Sequence, residues 1–153
     1  MNKNKWGPII WNFIHVLSYK IKNDCFSKQR KNLIDIIRIL FSNLPCPYCS
    51  QHARKLLKQS NMKYIVDKES FIDYLFAFHN NVNKRLKKEI FIRNKMDERY
   101  IKRSLTTAIN ELAVIYNTKQ TNNLKFMMNN YSNKTSYIKV INIIRENKED
   151  YIL

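Results

Sequence analysis

The sequence predicts an all-α protein with one compact domain, and three observations support this prediction. The chain has 153 residues, enough for a single hydrophobic core, and 44% of them are hydrophobic. It contains one Gly and three Pro, too few turn-forming residues for a protein of many strands. Apolar residues recur at helical spacing in several segments.

The segment WGPIIWNFIHVLSYK predicts a first helix with two apolar faces. One face is a core stripe of Trp6, Ile10, Phe13, Ile14 and Leu17. The opposite face carries Trp11, His15 and Tyr19, each four residues apart. Such a face needs a flat, partly polar cover. Either a bound planar cofactor or complete burial of the helix in a small bundle meets that need.

Two further helices are predicted before residue 60. The second covers about residues 28–43 and ends before Pro45, because proline disfavours helical geometry in the residue before it. The third is short and begins in CPYCSQHARKLL, with Cys46 near its N-cap and Pro47 at an early position where the missing N–H costs nothing.

The fourth and fifth helices follow in the second half of the chain. The fourth covers residues 70–87, with His79 and Asn83 on the flank of a core stripe of Phe71, Leu75, Phe78, Val82 and Leu86. The fifth runs from about Asp97 to Tyr116. Residues 118–153 are expected to be a C-terminal extension, in which YIKVINIIRENKEDYI can form a short helix.

The charge and hydropathy of the chain argue against several classes of function. The formal charge of +16 attracts nucleic acid and acidic partners, but no nucleic-acid-binding motif accompanies it, so specific nucleic-acid binding is not expected. No apolar run approaches the roughly 20 residues of a membrane span, and no signal peptide is recognisable. We expect a protein that is not secreted and remains in a reducing compartment.

Cys46 and Cys49 form a Cys-x-x-Cys pair, which is typical of a redox dithiol, of half a zinc site or of two core thiols. A helix N-terminus lowers the pKa of Cys46, and the two sulfurs are close enough to bond, so thiol–disulfide exchange is favoured. A structural zinc site needs four ligands, and the candidates beyond the pair and His52 are only Cys25, His15 and His79.

Four segments in a fixed order carry a more specific pattern. WGPIIWNFIHVLSY presents Trp, His and Tyr four apart, LPCPYC is followed by Arg54, FHNNVNKRLKK matches H-N-x-V-N-x-x-L-x-K, and MDERY ends with Tyr100 where a Trp is usual. Together they resemble the Erv/ALR family of FAD-linked sulfhydryl oxidases, in particular its compact members from large DNA viruses, and the resemblance covers roughly residues 6–116.

This resemblance implies a four-helix bundle with a short fifth helix, in a domain of residues 1–117 that usually forms a homodimer. It implies that FAD binds in the bundle mouth, that substrate thiols reduce the Cys46–Cys49 disulfide, and that electrons pass through FAD to oxygen, giving hydrogen peroxide. Cys46 would be the interchange thiol and Cys49 the flavin-proximal thiol. No metal is implied.

The resemblance also implies a set of cofactor contacts, carried over by motif. These are Gly7, Trp11, His15, Tyr19, His79, Asn80, Val82, Asn83, Leu86, Lys88 and Tyr100. Aromatic rings suit the flat cofactor, His and Asn suit its polar edges, and Lys88 suits its pyrophosphate. The alternative for Lys88 is membership of a solvated Lys/Arg face.

The implied partner is a thioredoxin-like or Cys-x-x-Cys relay protein, acting in the cytoplasm of an infected cell or in the virion. Two departures from the family pattern are visible. Lys63 and Arg93 stand where a structural disulfide is common, and Cys25 has no second Cys with which to form a shuttle pair. A structural zinc module and a basic nucleic-acid-binding helical module remain as alternative functions.

Overall fold

The computed structural model describes the backbone of residues 3–117 and 124–153, and within these ranges it is helical. The helices, in chain order, are α1 (Lys3–Lys20), α2 (Phe26–Ser42), α3 (Pro47–Gln59), α4 (Lys68–Arg85), α5 (Arg93–Tyr100), α6 (Leu105–Asn117) and α7 (Leu124–Glu146). Short 3-10 turns occupy Met62–Tyr64 and Lys148–Asp150. The all-α prediction is confirmed.

Helix α1 is the central element of the fold and packs against α4, α5 and α6. Its predicted core stripe is buried, and Phe13, Ile14 and Leu17 have no exposed surface. Most of the opposite face is covered as well, because His15 is fully buried and Tyr19 is 7% exposed, whereas Trp11 is only partly buried. A helix buried on two sides places its polar groups inside the protein, where each needs a hydrogen-bond partner.

Helix α2 packs against both α3 and the C-terminal helix α7. Its buried face, formed by Leu33, Ile36, Ile37 and Leu40, lies in the core while the helix contacts α3 and α7. At its C-terminal end, Nη1 of Arg54 donates to the carbonyl of Ser42 at 3.2 Å. A cation at a helix C-terminus is favourable because it meets the negative end of the helix dipole.

Helix α4 begins at a well-formed cap. The carboxylate of Asp67 accepts a hydrogen bond from the main-chain N–H of Ser70 at 2.8 Å, and Oγ of Ser70 accepts one from the N–H of Asp67 at 3.0 Å. This reciprocal pair satisfies two N–H groups that the first helical turn leaves without partners. The start of α4 is thereby fixed by local sequence.

The prediction of one helix from Asp97 to Tyr116 is wrong. Helix α5 ends at Tyr100 and α6 begins at Leu105, with a turn in which the N–H of Arg103 donates to the carbonyl of Tyr100 at 3.2 Å. Ser104 starts α6, since its Oγ accepts from the N–H of Thr107 at 3.2 Å. Ser is a favoured N-cap residue, and its hydroxyl offsets the interruption of the helix.

The C-terminal residues are attached to the core by main-chain and side-chain bonds. Ile21 and Tyr151 form an isolated antiparallel bridge, and the N–H of Ile152 donates to the carbonyl of Lys20 at 2.7 Å. Asp150 is buried, accepts from Nε2 of Gln29 at 2.6 Å and pairs with Nζ of Lys28 at 2.9 Å. This end of the chain therefore closes over the turn between α1 and α2.

Helix α7 is longer than the short terminal helix that the sequence predicts, and it contacts α2 and α6. Val140 and Ile144 bury their side chains in the common core. Residues 118–123, at the start of the predicted extension, lie outside the described residues. The division into a domain of residues 1–117 and an extension stays a prediction. None of the helices described is long and apolar enough to cross a membrane.

Arg93 connects three helices, at one of the two positions where the resemblance described above implies a structural disulfide. Its guanidinium contacts Glu69 at 3.1 Å and Asp73 at 3.0 Å on α4, and it pairs with Asp97 on its own helix. It also donates to the hydroxyl of Tyr19 on α1 at 3.2 Å. A network of ion pairs around one guanidinium therefore stands in place of a covalent brace.

Replacing Arg93 with Met is expected to destabilise the protein by about 1–2 kcal/mol, because it removes charge-assisted bonds between α5, α4 and α1. Denaturant unfolding at low and high salt measures the loss, which should shrink at high salt. Lys95→Met is the control, since Lys95 is an exposed cation of the same helix. Equal losses for the two variants would contradict the bracing role.

Candidate functional site

The two cysteines of the Cys-x-x-Cys pair form a disulfide at the start of α3, with their Cα atoms 5.1 Å apart. Cys46 is the N-cap of the helix, as the sequence predicts, and its Sγ accepts from the N–H of Cys49 at 3.1 Å. Pro47 occupies the first helical turn. The free N–H groups of this turn stabilise a thiolate at Cys46 once the disulfide is reduced.

Ser50 fixes the redox turn to the chain that precedes it. Its Oγ accepts from the N–H of Leu44 at 2.8 Å and lies 3.3 Å from the carbonyl of the same residue, to which it donates. Ser50 is 4% exposed, so these bonds are shielded from water. This role was not predicted from the sequence, although a polar residue on the inner side of a short helix was a usable signal.

A cavity of about 690 Å³ lies beside the disulfide, bordered by α1, α3, α4 and the segment that contains α5. This volume lies in the range of small-molecule sites. Cys49 lines the cavity, whereas Cys46 does not. Aromatic rings form much of its wall, among them those of Trp6, Trp11, Phe41, Phe78, His79, Phe91 and Tyr100.

The cavity also carries a strong positive charge. Four cationic side chains line it, against the single carboxylate of Glu89; they are Lys55, Arg85, Lys88 and Arg99. The guanidinium of Arg99 lies 5.5 Å from the ring centre of Tyr100 and 6.0 Å from that of Phe91. Cations above aromatic faces favour a ligand that combines flat rings with negative charge.

Two buried histidines join α1 to α4, with His79 in the cavity wall and His15 behind it. Nε2 of His15 and Nδ1 of His79 are 2.9 Å apart and share a hydrogen bond. The His79 ring is stacked on Trp11 with centres 3.8 Å apart and planes 5° from parallel, while His15 stacks on Tyr100 at 4.8 Å. Nδ1 of His15 is buried with no hydrogen-bond partner among the described residues.

The environment keeps both histidines neutral. Burial is the main cause that lowers the pKa of His15 to about 3, and the neighbouring His79 and Arg99 lower it further. Burial also lowers the pKa of His79 to about 3, with additional repulsion from Arg99 and Lys88. At neutral pH both imidazoles are therefore uncharged, and the hydrogen bond that they share adds no charge to the cavity.

Asn80 shapes the cavity wall through the main chain of Phe91. Its Nδ2 donates to the carbonyl of Phe91 at 3.1 Å, and its Oδ1 accepts from the N–H of the same residue at 2.9 Å. The two bonds hold the Phe91 ring 4.8 Å from that of His79. Asn80 thus positions an aromatic ring of the site.

The end of α4 turns the chain so that Lys88 reaches the cavity. The N–H of Lys88 donates to the carbonyl of Asn83 at 2.9 Å, and the N–H of Lys87 donates to that of Lys84 at 3.2 Å. This is a Schellman motif, which usually has Gly at the position that Lys87 occupies with φ of 54°. A left-handed conformation costs a non-glycine residue about 1–2 kcal/mol.

Most of the predicted site residues meet at this cavity. Besides Cys49, its lining includes Gly7, Trp11, His79, Val82, Asn83, Leu86, Lys88 and Tyr100. A side chain at Gly7 would find no atom within 4 Å, so this glycine leaves open space on the cavity side. The residues that do not line the cavity are Cys46, His15, Tyr19 and Asn80.

Tyr19 lies behind the cavity and contacts the α5 network, donating its hydroxyl to Asp97. Burial and this bond to a carboxylate raise the pKa of Tyr19. Like His15 and Asn80, it supports residues that line the cavity. The assignment of these three residues as direct cofactor contacts stays a prediction.

Four residues of the cavity were not predicted from the sequence: the cations Lys55, Arg85 and Arg99 and the aromatic Phe91. Arg99 had a usable signal, since it belongs to the MDERY element next to Tyr100. Lys55 and Arg85 had none, because they belong to a chain with 28 Lys and Arg residues and look like solvent-facing cations. Only the fold places their side chains around one cavity.

Disulfide, cavity and charge together define a helical redox protein whose dithiol faces a site for a planar, anionic cofactor. The chain belongs to the Erv1 / Alr family, whose sequence profile matches residues 8–101. The family resemblance predicted from the four motifs is confirmed. No solved structure gives a significant match to this chain.

Three relatives illustrate this membership. An African swine fever virus (isolate Tick/Malawi/Lil 20-1/1983) protein named FAD-linked sulfhydryl oxidase is 35% identical over 85 residues, covering 56% of this chain and 71% of the viral one. The FAD-linked sulfhydryl oxidase ERV1 of Arabidopsis thaliana is 29% identical over 100 residues, or 65% of this chain and 52% of the plant protein. Its rice counterpart is 26% identical over 100 residues, or 65% of this chain and 51% of its own length.

His15 and His79 are expected to stay neutral from pH 8 down to pH 5, because each has its pKa lowered to about 3 by burial. NMR titration of the three histidine rings measures this, with the less buried His52 as the internal reference. In the unfolded chain these histidines have their ordinary pKa near 6.5, so the unfolded state takes up protons first as the pH falls. The free energy of unfolding is therefore highest above that pH and decreases as the pH falls towards 3. Titration of His15 near pH 6.5 would contradict the buried pair.

Lys87→Gly is expected to stabilise the protein by about 0.5–1 kcal/mol, because glycine adopts the left-handed conformation without steric cost. Lys84→Gly, inside the last turn of α4, should instead destabilise it by about 1 kcal/mol. Thermal unfolding of both variants measures the difference. A loss of stability in Lys87→Gly would show that the turn is not strained.

Proposed function

We propose that the protein is an FAD-linked sulfhydryl oxidase that converts substrate thiols to disulfides through Cys46 and Cys49. The observation that carries this proposal is the position of Cys49 in the wall of an aromatic, cationic cavity while its disulfide partner Cys46 lies outside that wall. One end of the disulfide is thereby available to a substrate thiol and the other to a cofactor.

Thiol–disulfide exchange begins at Cys46. A substrate thiolate attacks its Sγ, the Cys46–Cys49 bond breaks, and Cys49 leaves as a thiolate while a mixed disulfide forms at Cys46. A second substrate thiol then attacks the mixed disulfide and releases Cys46. The substrate is oxidised to a disulfide, and the pair becomes a dithiol at the N-terminus of α3, where thiolates are stabilised.

The residues of the cavity fit the chemistry of FAD. Trp11, His79, Phe91 and Tyr100 offer flat faces to its ring systems, and Lys55, Arg85, Lys88 and Arg99 offer charge to its phosphates. The neutral histidine pair keeps the interior of this wall uncharged. When bound, FAD accepts the two electrons of the dithiol and passes them to molecular oxygen, giving hydrogen peroxide.

The biological setting is also part of the proposal. A thioredoxin-like or Cys-x-x-Cys relay protein would deliver the electrons, and the enzyme would act as a homodimer in the cytoplasm of an infected cell or in the virion. The similarity to the African swine fever virus protein supports the viral setting, since that relative is 35% identical over 85 residues. Disulfide formation in a reducing compartment requires such an oxidase.

Cys49→Ser is expected to abolish oxidation of dithiothreitol while leaving FAD bound, because the serine removes the redox pair and keeps the cavity wall. Visible flavin absorbance of the purified protein and peroxide production measure the two properties. Cys25→Ser is the matched control and should keep both, since Cys25 is free and outside the pair. A wild-type protein that neither binds FAD nor consumes oxygen with dithiothreitol would overturn the proposal.

A further inference from the structure

The chain around the redox pair has an unusual distribution of charge. Between Asp35 and Asp67 the sequence contains no acidic residue, and it contains five cations, which are Arg38, Arg54, Lys55, Lys58 and Lys63. Helices α2, α4, α5, α6 and α7 each include at least one Asp or Glu, whereas α3, like α1, includes none. The redox helix therefore presents positive charge without internal compensation.

Three of these cations form one surface, which we call the α3 basic face: Arg54, Lys55 and Lys58. They are exposed, share one side of the helix at spacings of one, three and four residues, and border a shallow depression together with Gln51 and His52. None of the three has a salt bridge within the described residues. Arg54 donates to the Ser42 carbonyl, a main-chain group.

Cofactor binding does not account for the whole of this face. Lys55 lines the large cavity, where a phosphate would engage it, but Arg54 and Lys58 do not. The positive charge also acts on His52, which follows Cys49 by three residues. Burial lowers the pKa of His52, and the charges of Arg85 and Lys55 lower it further.

Tyr48 adds an apolar contact at the reactive end of the face. It lies between Cys46 and Cys49, and 63% of its surface is exposed. Its ring meets His52 edge-on at 4.5 Å and lies 5.9 Å from the guanidinium of Arg85. Exposed tyrosines held by neighbours are common anchors of protein interfaces, because they bury a large area at little cost in conformational entropy.

We infer that the α3 basic face and Tyr48 form the docking surface for an acidic protein dithiol, a substrate that carries Asp or Glu residues beside its paired cysteines. The inference rests on the proposed oxidase function and names the substrate class of the same disulfide. In the docked complex the partner's dithiol loses two electrons and two protons and becomes a disulfide. The Cys46–Cys49 disulfide accepts these two electrons and two protons and is reduced to two thiols.

The helix geometry sets where the acidic residues of the partner should lie. Arg54 and Lys58 follow Cys49 by five and nine residues, or about 7 and 14 Å along the axis at 1.5 Å per residue. An extended substrate segment covers these distances in roughly two to four residues. Carboxylates within that distance of the substrate cysteines would face the basic face and accelerate association.

Three peptides that differ only in flanking charge test the inference on the full-length, FAD-loaded enzyme. Each contains one Cys-x-x-Cys, flanked by Asp, Ser or Lys at the two to four neighbouring positions. We expect kcat/KM to follow the order Asp, Ser, Lys, with about tenfold between the extremes at 0.01 M ionic strength and much less at 0.15 M. Equal rates for the three peptides would overturn the inference.

Matched variants locate the effect on the surface. Arg54→Gln with Lys58→Glu removes positive charge from the face, and the glutamine retains a donor for the Ser42 carbonyl. Lys134→Gln with Lys139→Glu makes the same change in charge at exposed positions of α7. Only the first pair should reduce the preference for the Asp peptide, by several-fold, and both should oxidise dithiothreitol at the wild-type rate. An equal reduction in both pairs would assign the preference to net charge and overturn the inference.

The two proposals fail in different ways. If the wild-type enzyme does not oxidise dithiothreitol, the oxidase function is wrong. If it oxidises dithiothreitol but shows no peptide preference, only the docking surface is wrong. If a single-stranded DNA oligonucleotide binds the wild-type protein, loses affinity in the α3 variant and the peptides are oxidised alike, the face is a nucleic-acid surface instead.

Discussion

The hydrogen bond between His15 and His79 is the interaction on which the arrangement of the site depends. It lies inside the core at 2.9 Å and joins the central helix α1 to α4. A buried imidazole without a partner would be costly, so this bond allows α1 to be buried on both faces. It also aligns His79 with Trp11 and His15 with Tyr100, so that aromatic rings from three helices form one continuous stack.

Much of the fold follows from short-range patterns in the sequence. The two faces of α1 and the N-cap position of Cys46 could be predicted, because each depends on residues within a few turns of one another. The break between α5 and α6 was missed because Ser104 acts through a single hydroxyl in an otherwise helical pattern. The docking of Asp150 on Lys28 and Gln29 was also missed, since it joins residues more than a hundred positions apart.

The location of the site could be predicted from the sequence, but the individual roles of its residues could not. Motif resemblance selected residues that gather around the cavity, yet it does not distinguish a residue that lines the wall from one that holds the wall in place. Asn80 holds Phe91 by its main chain, and Tyr19 belongs to the Arg93 network. The cations Lys55, Arg85 and Arg99 were hidden by the general abundance of positive charge, because only tertiary structure distinguishes them from solvated residues.

Ser50 helps the protein to break and re-form the Cys46–Cys49 disulfide repeatedly. Its two bonds to the main chain of Leu44 fix both the start of α3 and the end of the preceding segment in water-free surroundings. Neither bond involves a sulfur atom, so breaking the Cys46–Cys49 bond removes neither of them. The two bonds therefore favour the same backbone conformation of the redox turn in the disulfide and in the dithiol. This lowers the free energy needed to rearrange the protein between the two redox states.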